Sequence, residues 1–315
     1  MKKAFVLLCL AMLLLPLPGM LRADWRDREQ VEQSASLRGE MTALHAYLSR
    51  GIGMSGSDQV ALGRRGVLYL AETLPSAAGL DRWTEEETAQ AAAYLQALDG
   101  MLKARGAYLV FLCAPNKASV MPQDLPPYVR PSDESNLDRL LARLKETDVR
   151  FVDVKELLAG DDAPYLRTDT HWTDQTACRV YRALMDCLPA AEKTAYRETE
   201  TVRITGDLSE LIYPQNAPEE ETERRIVPRT YRAVSRMRSV MDLHLETECR
   251  RNGLQVVMLR DSFANALFPY LANNIGHVYL HRAARWEEAY WRDGTQAVIL
   301  EIAERNLDKL LEEGR

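Results

Sequence analysis

Three residues of this sequence could together make a serine hydroxyl nucleophilic: Ser262, His171 and Asp169. A serine hydroxyl attacks poorly unless a base takes its proton, and a neutral imidazole can do so when a carboxylate fixes its tautomer. Asp169 lies two residues before His171, so one loop can supply both the base and its partner. The residue types therefore predict acyl chemistry at Ser262, provided that the fold brings the two segments together.

Each of the two segments is weak evidence by itself. Ser262 follows the apolar run 256–259 closely, so the sequence predicts a strand and then a serine at a helix N-terminus. Backbone N–H groups at such a terminus can face an oxyanion. A serine in this position is more often only a helix N-cap, and an Asp-x-His sequence is more often part of a surface loop. Support for a triad has to come from the elements that position these residues.

Strand-like and helix-like segments alternate through most of the chain. A capping box at Thr84–Glu87 opens a helix that Gly106 ends, and the continuous apolar run 108–113 is typical of a strand buried on both faces. The pattern predicts further strands at 66–70, 151–154, 254–259, 277–280 and 297–302, and further helices at about 137–144, 174–188 and 262–271. This alternation indicates an α/β fold with a mainly parallel sheet flanked by helices. Ligands of such sheets bind beyond the carboxyl ends of the strands, where both candidate segments are expected.

The first 23 residues have the layout of a secretory signal peptide. A basic start, Met1–Lys3, precedes the unbroken apolar run Ala4–Leu15, and the small residue Ala23 precedes a polar segment, which indicates cleavage after Ala23. The alternative is a retained anchor, but the stretch 4–21 contains two prolines, and its 18 residues are marginal for a bilayer that needs about 20. We expect an exported protein, periplasmic, extracellular or at the cell surface, and anchored if the signal is not cleaved.

The remaining chain is long enough for one large α/β domain. We assign 24–60 to an N-terminal lead-in segment and 61–315 to a single domain with an irregular, highly charged insert at about 190–250. Gly51–Gly56 matches the glycine pattern of dinucleotide-binding loops, but it follows a helical segment instead of a strand, so its context does not fit.

Composition argues against nucleic acid and metal functions. Loss of Lys2, Lys3 and Arg22 with the signal takes the net charge from −6 to −9, and such an acidic chain has no electrostatic footprint for nucleic acid. The cysteines and histidines lack metal-ligand spacing, so we expect no structural zinc and no cofactor. His277 and His281 flank a predicted strand and are expected to be core or edge residues.

Four cysteines follow the signal, and an even number permits disulfides in an exported protein. Cys178 and Cys187 share one predicted helix, about 13 Å apart at 1.5 Å per residue, so they cannot pair there. Cys113 ends a predicted strand, and Cys249 precedes another. The sequence leaves the pairing open.

Further segments occur in the order found in a known family. Thr168–Thr173 (TDTHWT) resembles the signature of the alginate O-acetyltransferase (AlgX/AlgJ-like) group and of the related DHHW proteins, both SGNH-hydrolase-like. The supporting segments are Ala114–Lys117, Met121–Pro122, Leu125–Pro126, Gly206–Leu208, Arg260–Phe263, Pro269–Leu271 and Glu304–Leu307. The resemblance extends from about Gly66 to the C-terminus and implies an SGNH-hydrolase-like (flavodoxin-like) fold.

The resemblance also implies roles for the candidate residues. Ser262 would be the nucleophile, His171 the general base and then acid, and Asp169 the orienting carboxylate. Asp261 and Trp172 would support the site.

The oxyanion site is less well defined by the resemblance. Arg260 stands where the wider SGNH group has a glycine, so the usual oxyanion arrangement is in question. The backbone N–H of Ser262, with the side chain of Arg260 or Asn116, is the candidate substitute. Lys117 is a candidate for binding an anionic group of the substrate, and the alternative is a solvated loop lysine.

The leading functional prediction is an exported O-acetyltransferase or acetylesterase that acts on hydroxyls of an envelope or secreted polysaccharide through an acyl-serine. Because this reaction needs an acetyl donor outside the cytoplasm, the resemblance implies a membrane-bound O-acyltransferase as partner. The alternative is a non-catalytic SGNH-like glycan-binding or assembly protein of the cell envelope, which Arg260 and the acidic insert suggest. A secreted protease fits less well, because the chain order of the three residues matches none of the common protease orders.

Overall fold

The computed structural model describes residues 55–189, 193–213 and 216–312, with a few isolated positions before them. Apart from those isolated positions, the predicted signal peptide 1–23 and residues 24–54 of the lead-in segment lie outside these described residues. Among the helices that are described, none is both long and apolar enough to cross a membrane.

Of the eleven strands in the described residues, seven form one central sheet. The strands, in chain order, are β1 (Val60–Leu62), β2 (Leu68–Leu70), β3 (Tyr108–Ala114), β4 (Arg150–Val152), β5 (Thr199–Thr205), β6 (Glu219–Arg225), β7 (Arg232–Ala233), β8 (His244–Glu248), β9 (Gln255–Arg260), β10 (His277–Arg282) and β11 (Ala297–Ala303). The central sheet has the order β4-β3-β11-β9-β10-β8-β7. Its first five strands are parallel, and β8 and β7 extend it as antiparallel strands. The predicted α/β class is confirmed.

Helices cover both faces of this sheet. They are α1 (Leu74–Ala77), α2 (Glu85–Lys103), α3 (Lys117–Val120), α4 (Asn136–Leu144), α5 (Val154–Leu157), α6 (Asp174–Asp186), α7 (Asp207–Ile212) and α8 (Ala264–Asn274). The apolar sides of α2 and α4 pack on one face, and those of α6 and α8 pack on the other. Every residue of β11 is buried, as expected for a strand covered on both sides.

Local sequence signals account for several element ends. Thr84 and Glu87 form the predicted capping box of α2, and Ser135 with Asp138 forms a second one at the start of α4. Each box satisfies N–H groups that the first helical turn leaves without partners. The described cysteines Cys113, Cys178, Cys187 and Cys249 are all unpaired.

The stretch 190–250 differs from the prediction of an irregular insert. It contains the antiparallel pair β5–β6, the helix α7, and the strands β7 and β8 that join the central sheet. Two facing pairs of β5 and β6 are oppositely charged, with Arg203 bonded to Glu221 and Arg224 to Glu200. Cross-strand charge pairs can stabilise strands that are largely exposed. Because these strands bury no continuous apolar face, their sequence lacks the regular apolar–polar alternation by which strands are recognised.

Candidate active site

Ser262 occupies the turn between β9 and α8, at the carboxyl end of the sheet. The preceding Asp261 ties this turn to the neighbouring strand β11. Its carboxylate accepts hydrogen bonds from the backbone N–H of Phe263 (2.9 Å) and of Ala303 (2.7 Å), and its own N–H donates to Glu301 Oε2 (2.8 Å). Asp261 therefore supports the nucleophile turn and is itself saturated with partners.

The structure brings Ser262, His171 and Asp169 together. His171 Nε2 lies 2.8 Å from Ser262 Oγ, and His171 Nδ1 lies 2.7 Å from Asp169 Oδ1. These separations are hydrogen-bond distances, and the two ring nitrogens address the serine and the carboxylate separately. This arrangement suits an imidazole that removes the serine proton while the carboxylate fixes its tautomer.

The carboxylate of Asp169 is held from several directions. The backbone N–H of His171 donates to Oδ1 (2.8 Å), and that of Asp207 donates to Oδ2 (2.9 Å). Burial raises the pKa of Asp169, but the hydrogen bond and charge of His171, with the two N–H groups, outweigh burial and leave this pKa below its ordinary value. Asp169 therefore stays ionised at neutral pH.

The segment Gly206–Leu208, which the sequence analysis used only to support the family resemblance, packs against this loop. Gly206 lies so close to the chain that a Cβ atom there would come within 2.2 Å of the Thr168 carbonyl oxygen. The next residue, Asp207, accepts hydrogen bonds from the N–H (2.7 Å) and the hydroxyl of Thr170. Asp207 was not predicted as a site residue.

The described residues contain one group with several metal-ligand atoms close together, namely Asp169, His171 and Asp207. Each carboxylate oxygen of the two aspartates already accepts a hydrogen bond from the protein, and His171 Nδ1 faces Asp169. Internal hydrogen bonding therefore explains why these groups converge.

An aromatic cluster packs behind the base. The Phe263 ring lies 4.9 Å from the His171 ring and 5.0 Å from the Trp172 ring, between ring centroids. Trp172 is almost fully buried, which fits its predicted supporting role. The Arg305 guanidinium lies over the same phenyl ring, 5.6 Å from its centroid. This cluster restricts the imidazole to a small range of orientations.

Residues 60–249 match the family described as the SGNH hydrolase-like domain of acetyltransferase AlgX. The chain belongs to this family. No curated protein matches it in a direct search. The family assignment covers the Asp169–His171 loop, and Ser262 lies beyond the matched range.

Solved structures of three proteins share the fold of this SGNH-like family member. Bacillus cereus PatB1 has 18% identity and a TM-score of 0.60 over 77% of this chain and 95% of its own. The O-acetyltransferase domain of Pseudomonas putida AlgJ has 20% identity and a TM-score of 0.56, with 81% and 93% covered. A DHHW family protein from Eubacterium siraeum has 16% identity and a TM-score of 0.51, with 69% and 85% covered.

The structure corrects the prediction for Arg260, the residue that replaces the SGNH glycine. Its buried guanidinium donates to the carbonyl oxygens of Val240 (2.6 Å) and Asp242 (2.9 Å), and to Asn265 Oδ1 (2.8 Å). These contacts hold the loop that leads into β8. The two terminal nitrogens of Arg260 are therefore used in a structural link between that loop and the nucleophile turn, while its buried Nε has no partner among the described residues.

The two expectations for Lys117 are also corrected. Its ammonium group is buried and donates to the carbonyl oxygens of Leu68 (2.8 Å) and Arg167 (3.4 Å). Burial lowers its pKa to about 8, against the opposing charges of Asp169, Glu220 and Asp207. Lys117 is thus neither a solvated loop lysine nor available to a substrate anion; it connects β2 to the loop that carries Asp169.

Asn116, by contrast, has a side-chain amide that could bind a ligand atom. The residue is 2% exposed, and neither atom of its side-chain amide has a hydrogen-bond partner in the described structure. It lines a small pocket together with Thr170, Phe263 and Arg305. Because an unpaired buried amide is costly, this arrangement favours a role in binding a ligand atom.

An open cleft of about 290 Å³ gives access to Ser262. Arg282, Arg305 and Lys309 contribute cationic side chains to its wall, and Asn306 contributes an amide. The two carboxyl groups in the wall, Asp261 and Glu301, are bound to the backbone. The cleft is therefore polar, with a predominantly cationic lining. His277 and His281 lie elsewhere, the former bonded to Glu246 and the latter buried beside His244.

Glu301 is a second residue that the sequence analysis missed, although a charge within the apolar run of β11 was a visible signal. Its side chain is fully buried, and burial, followed by the nearby Asp261 carboxylate, raises its pKa well above the ordinary value of 4.5. The unfolded chain therefore releases this proton near pH 4.5 while the folded protein retains it. The contribution of Glu301 to the unfolding free energy is therefore fully present below that pH. It decreases as the pH rises toward the pKa that Glu301 has in the folded protein.

Two variants distinguish the effect of the Glu301 proton on stability from the effect of the hydrogen bond that Glu301 accepts. Glu301→Gln keeps an acceptor for the Asp261 N–H and cannot ionise, so we expect a smaller loss of unfolding free energy between pH 4 and 7 than in the wild type. Glu301→Ala leaves that N–H without a partner and is expected to cost about 1–3 kcal/mol at both pH values. Urea denaturation at the two pH values measures both effects. An identical pH dependence in wild type and Glu301→Gln would contradict the assignment.

Proposed function

We propose that this protein is an exported, serine-dependent O-acetyltransferase that transfers acetyl groups to hydroxyls of an envelope or secreted polysaccharide. The observation that carries the proposal is the linear arrangement Asp169–His171–Ser262, with separations of 2.7 and 2.8 Å. Membership of the SGNH hydrolase-like acetyltransferase family supports an acyltransferase or esterase. The acyl-serine, the export and the polysaccharide substrate are parts of the proposal.

In the first half of the reaction, Ser262 Oγ attacks the carbonyl carbon of an acetyl ester while His171 Nε2 takes the hydroxyl proton. The tetrahedral intermediate collapses, the bond to the donor oxygen breaks, and His171 returns the proton to that oxygen. The products are the donor alcohol and an acetyl ester of Ser262. Asp169 stabilises the imidazolium that exists between these two proton transfers.

In the second half, the sugar hydroxyl takes the place of the donor alcohol. His171 removes its proton, the sugar oxygen attacks the acetyl carbon, and the bond to Ser262 Oγ breaks as the serine regains its proton. The polar cleft beside Ser262 suits a hydroxyl-rich acceptor, and its cationic lining favours one that also carries anionic groups. Water would give hydrolysis instead, and a positioned acceptor can prevail because effective molarities reach about 10⁵ M and above.

The oxyanion of each tetrahedral intermediate requires donors, and we assign the Asn116 side chain as one. Its amide lies in the pocket beside Phe263 without a partner among the described residues. We expect Asn116→Ala to lower kcat by about 10²–10³-fold, the usual effect of removing one oxyanion donor. Its unfolding free energy should change little, because no hydrogen bond of the folded protein is lost.

The matched control for this variant is Asn136→Ala. Asn136 is also buried, but its side chain accepts from the Trp83 N–H (2.8 Å) and donates to the Asp81 carbonyl (2.9 Å), away from the cleft. We expect this variant to lose stability and to retain kcat. Ester hydrolysis kinetics and thermal melting measure both quantities. A destabilised Asn116→Ala with normal kcat would contradict the assignment.

An acetyl donor has to reach the site from outside the cytoplasm if the protein is exported. We propose a membrane-bound O-acyltransferase as the partner that supplies it. Export itself is tested by N-terminal sequencing of the protein from cells, which should find Asp24 as the first residue. An intact Met1 on membrane-bound protein would show an anchor.

The function is tested with an artificial acetyl ester and a panel of neutral and uronate-containing oligosaccharides, followed by mass spectrometry. We expect acetylated sugar with the wild type, an acetyl adduct on Ser262 during turnover, and neither with Ser262→Ala. Acetate release that no acceptor changes would identify an esterase. Activity equal to the Ser262→Ala background with every donor and acceptor would favour the non-catalytic glycan-binding alternative.

A further inference from the structure

The turn that begins α7 packs against Asp169 and Thr170, on the Nδ1 side of His171. Asp207 donates its backbone N–H to Asp169 Oδ2 (2.9 Å), while its carboxylate accepts the Thr170 N–H (2.7 Å) and the Thr170 hydroxyl. The backbone N–H of Ser209 also donates to the Thr168 carbonyl oxygen (3.1 Å). Three consecutive residues of the catalytic loop are thus fixed by one short turn.

The same carboxylate lies close to the imidazole. Asp207 Oδ2 is 3.6 Å from His171 Nδ1, and the Thr170 hydroxyl that donates to this carboxylate is 3.2 Å from the same nitrogen. The Nδ1 side of His171 therefore faces two carboxylates, Asp169 at 2.7 Å and Asp207 at 3.6 Å. A positive imidazolium is favoured by both.

We propose that Asp207 is a second positioning carboxylate of this site. Through its N–H and its two bonds to Thr170 it sets the orientation of Asp169 and the catalytic loop. Through its charge it stabilises the imidazolium that forms when His171 takes a proton from Ser262. The role in acyl transfer rests on the proposed function, whereas the effect on the ionisation of His171 does not.

Other charged groups surround this part of the site. Lys117 on α3 and Glu220 on β6 both bond to the backbone at the start of the loop, at Arg167 and Thr168. Arg305 lies over Phe263. Of the carboxylates in the described structure, Asp169 and Asp207 are the two within 4.0 Å of the His171 ring nitrogens. Removing the Asp207 charge should therefore have its most direct effect on the His171 ring.

The test is Asp207→Asn, which retains the backbone N–H to Asp169, removes the charge and leaves one acceptor oxygen for Thr170. Because the imidazolium then loses one of the two carboxylates beside Nδ1, the acidic limb of the kcat/KM profile should move to lower pH. We expect kcat to fall about tenfold and KM to change little. Added salt should reduce the difference between the two proteins.

Glu210→Gln is the matched control, since it removes the same charge from the exposed side of the same helix. It should leave the profile unchanged. Titration of the His171 ring by NMR in Asp207→Asn and wild type measures the electrostatic effect without any substrate. If the wild type is inactive but the ring titrates at lower pH in Asp207→Asn, the proposed function fails and the positioning proposal stands.

Two results would overturn the positioning proposal. One is a His171 titration that is the same in Asp207→Asn and wild type. The other is an equal shift in Glu210→Gln, which would show a general effect of net charge.

Discussion

Replacing His171 with alanine should lower kcat for acetyl-ester cleavage by about 10⁴–10⁶-fold, the largest effect expected from any residue that leaves the serine in place. Ser262 Oγ, now 2.8 Å from the imidazole nitrogen, would have no base to take its proton. Both halves of the reaction use the same imidazole, so acyl-enzyme formation and its transfer to the acceptor should slow together. Stopped-flow kinetics and mass spectrometry of the Ser262 adduct measure the two steps.

Free imidazole should restore part of the lost activity. The alanine variant leaves a space between Ser262 and Asp169 that Phe263 bounds on one side, and an added imidazole can occupy it. The matched control is His277→Ala, which removes another partly buried histidine bonded to a carboxylate, Glu246 at 2.8 Å. It should keep full activity. Equal activity losses in the two histidine variants would refute the assignment of the base.

Much of the fold followed from short-range patterns. The apolar runs that became β3, β9 and β11 were recognisable because strands covered on both faces need apolar residues throughout. The capping box at Thr84 marked the start of α2, and the structure has it there. These features depend on neighbouring residues, so a single sequence contains enough information to find them.

The charged strands β5 and β6 and the contribution of β7 and β8 to the sheet did not follow from the sequence. Pairing in this region depends on partners distant along the chain, such as β8 with β10, and the exposed strands lack apolar alternation. The same reason explains the error over Lys117. Its burial depends on the carbonyl oxygens of Leu68 and Arg167, about 50 residues away on either side, and no local pattern indicates such partners.

For the site, the residue types suggested Ser262, His171 and Asp169, and the family resemblance of the segments that carry them supported this group, which the fold brings together. The contacts that support this group were harder to foresee. Asp207 lies 38 residues beyond Asp169 and contacts it through a backbone N–H, which no side-chain type reveals. Glu301 could have been suspected from its position inside an apolar strand, because burying a carboxyl group is costly unless it is hydrogen-bonded, as Glu301 is to the Asp261 N–H.

Replacing Asp169 with asparagine should lower kcat by about 10⁴-fold while the fold remains intact. Asparagine has nearly the same shape. With its amide oxygen in place of Oδ2 it still accepts the Asp207 N–H, while its NH2 group replaces the Oδ1 that faces the N–H and Nδ1 of His171. The variant loses the charge that favours the imidazolium and the acceptor that holds the proton on Nδ1. The imidazole can then present an N–H to Ser262 Oγ instead of a lone pair, and a donor in that position cannot remove the serine proton.

The pH dependence of stability provides an independent measure of the same interaction. Because the pKa of Asp169 is lowered in the folded protein, its contribution to stability is present above the ordinary value of 3.8 and is lost as the pH falls through the lower folded value. Asp169→Asn should lack this acid-induced loss. Asp153→Asn is the control, because Asp153 caps α5 through the Glu156 N–H and asparagine caps equally well. An Asp169→Asn variant with normal kcat would show that His171 does not need this carboxylate, and the triad would reduce to a Ser262–His171 pair.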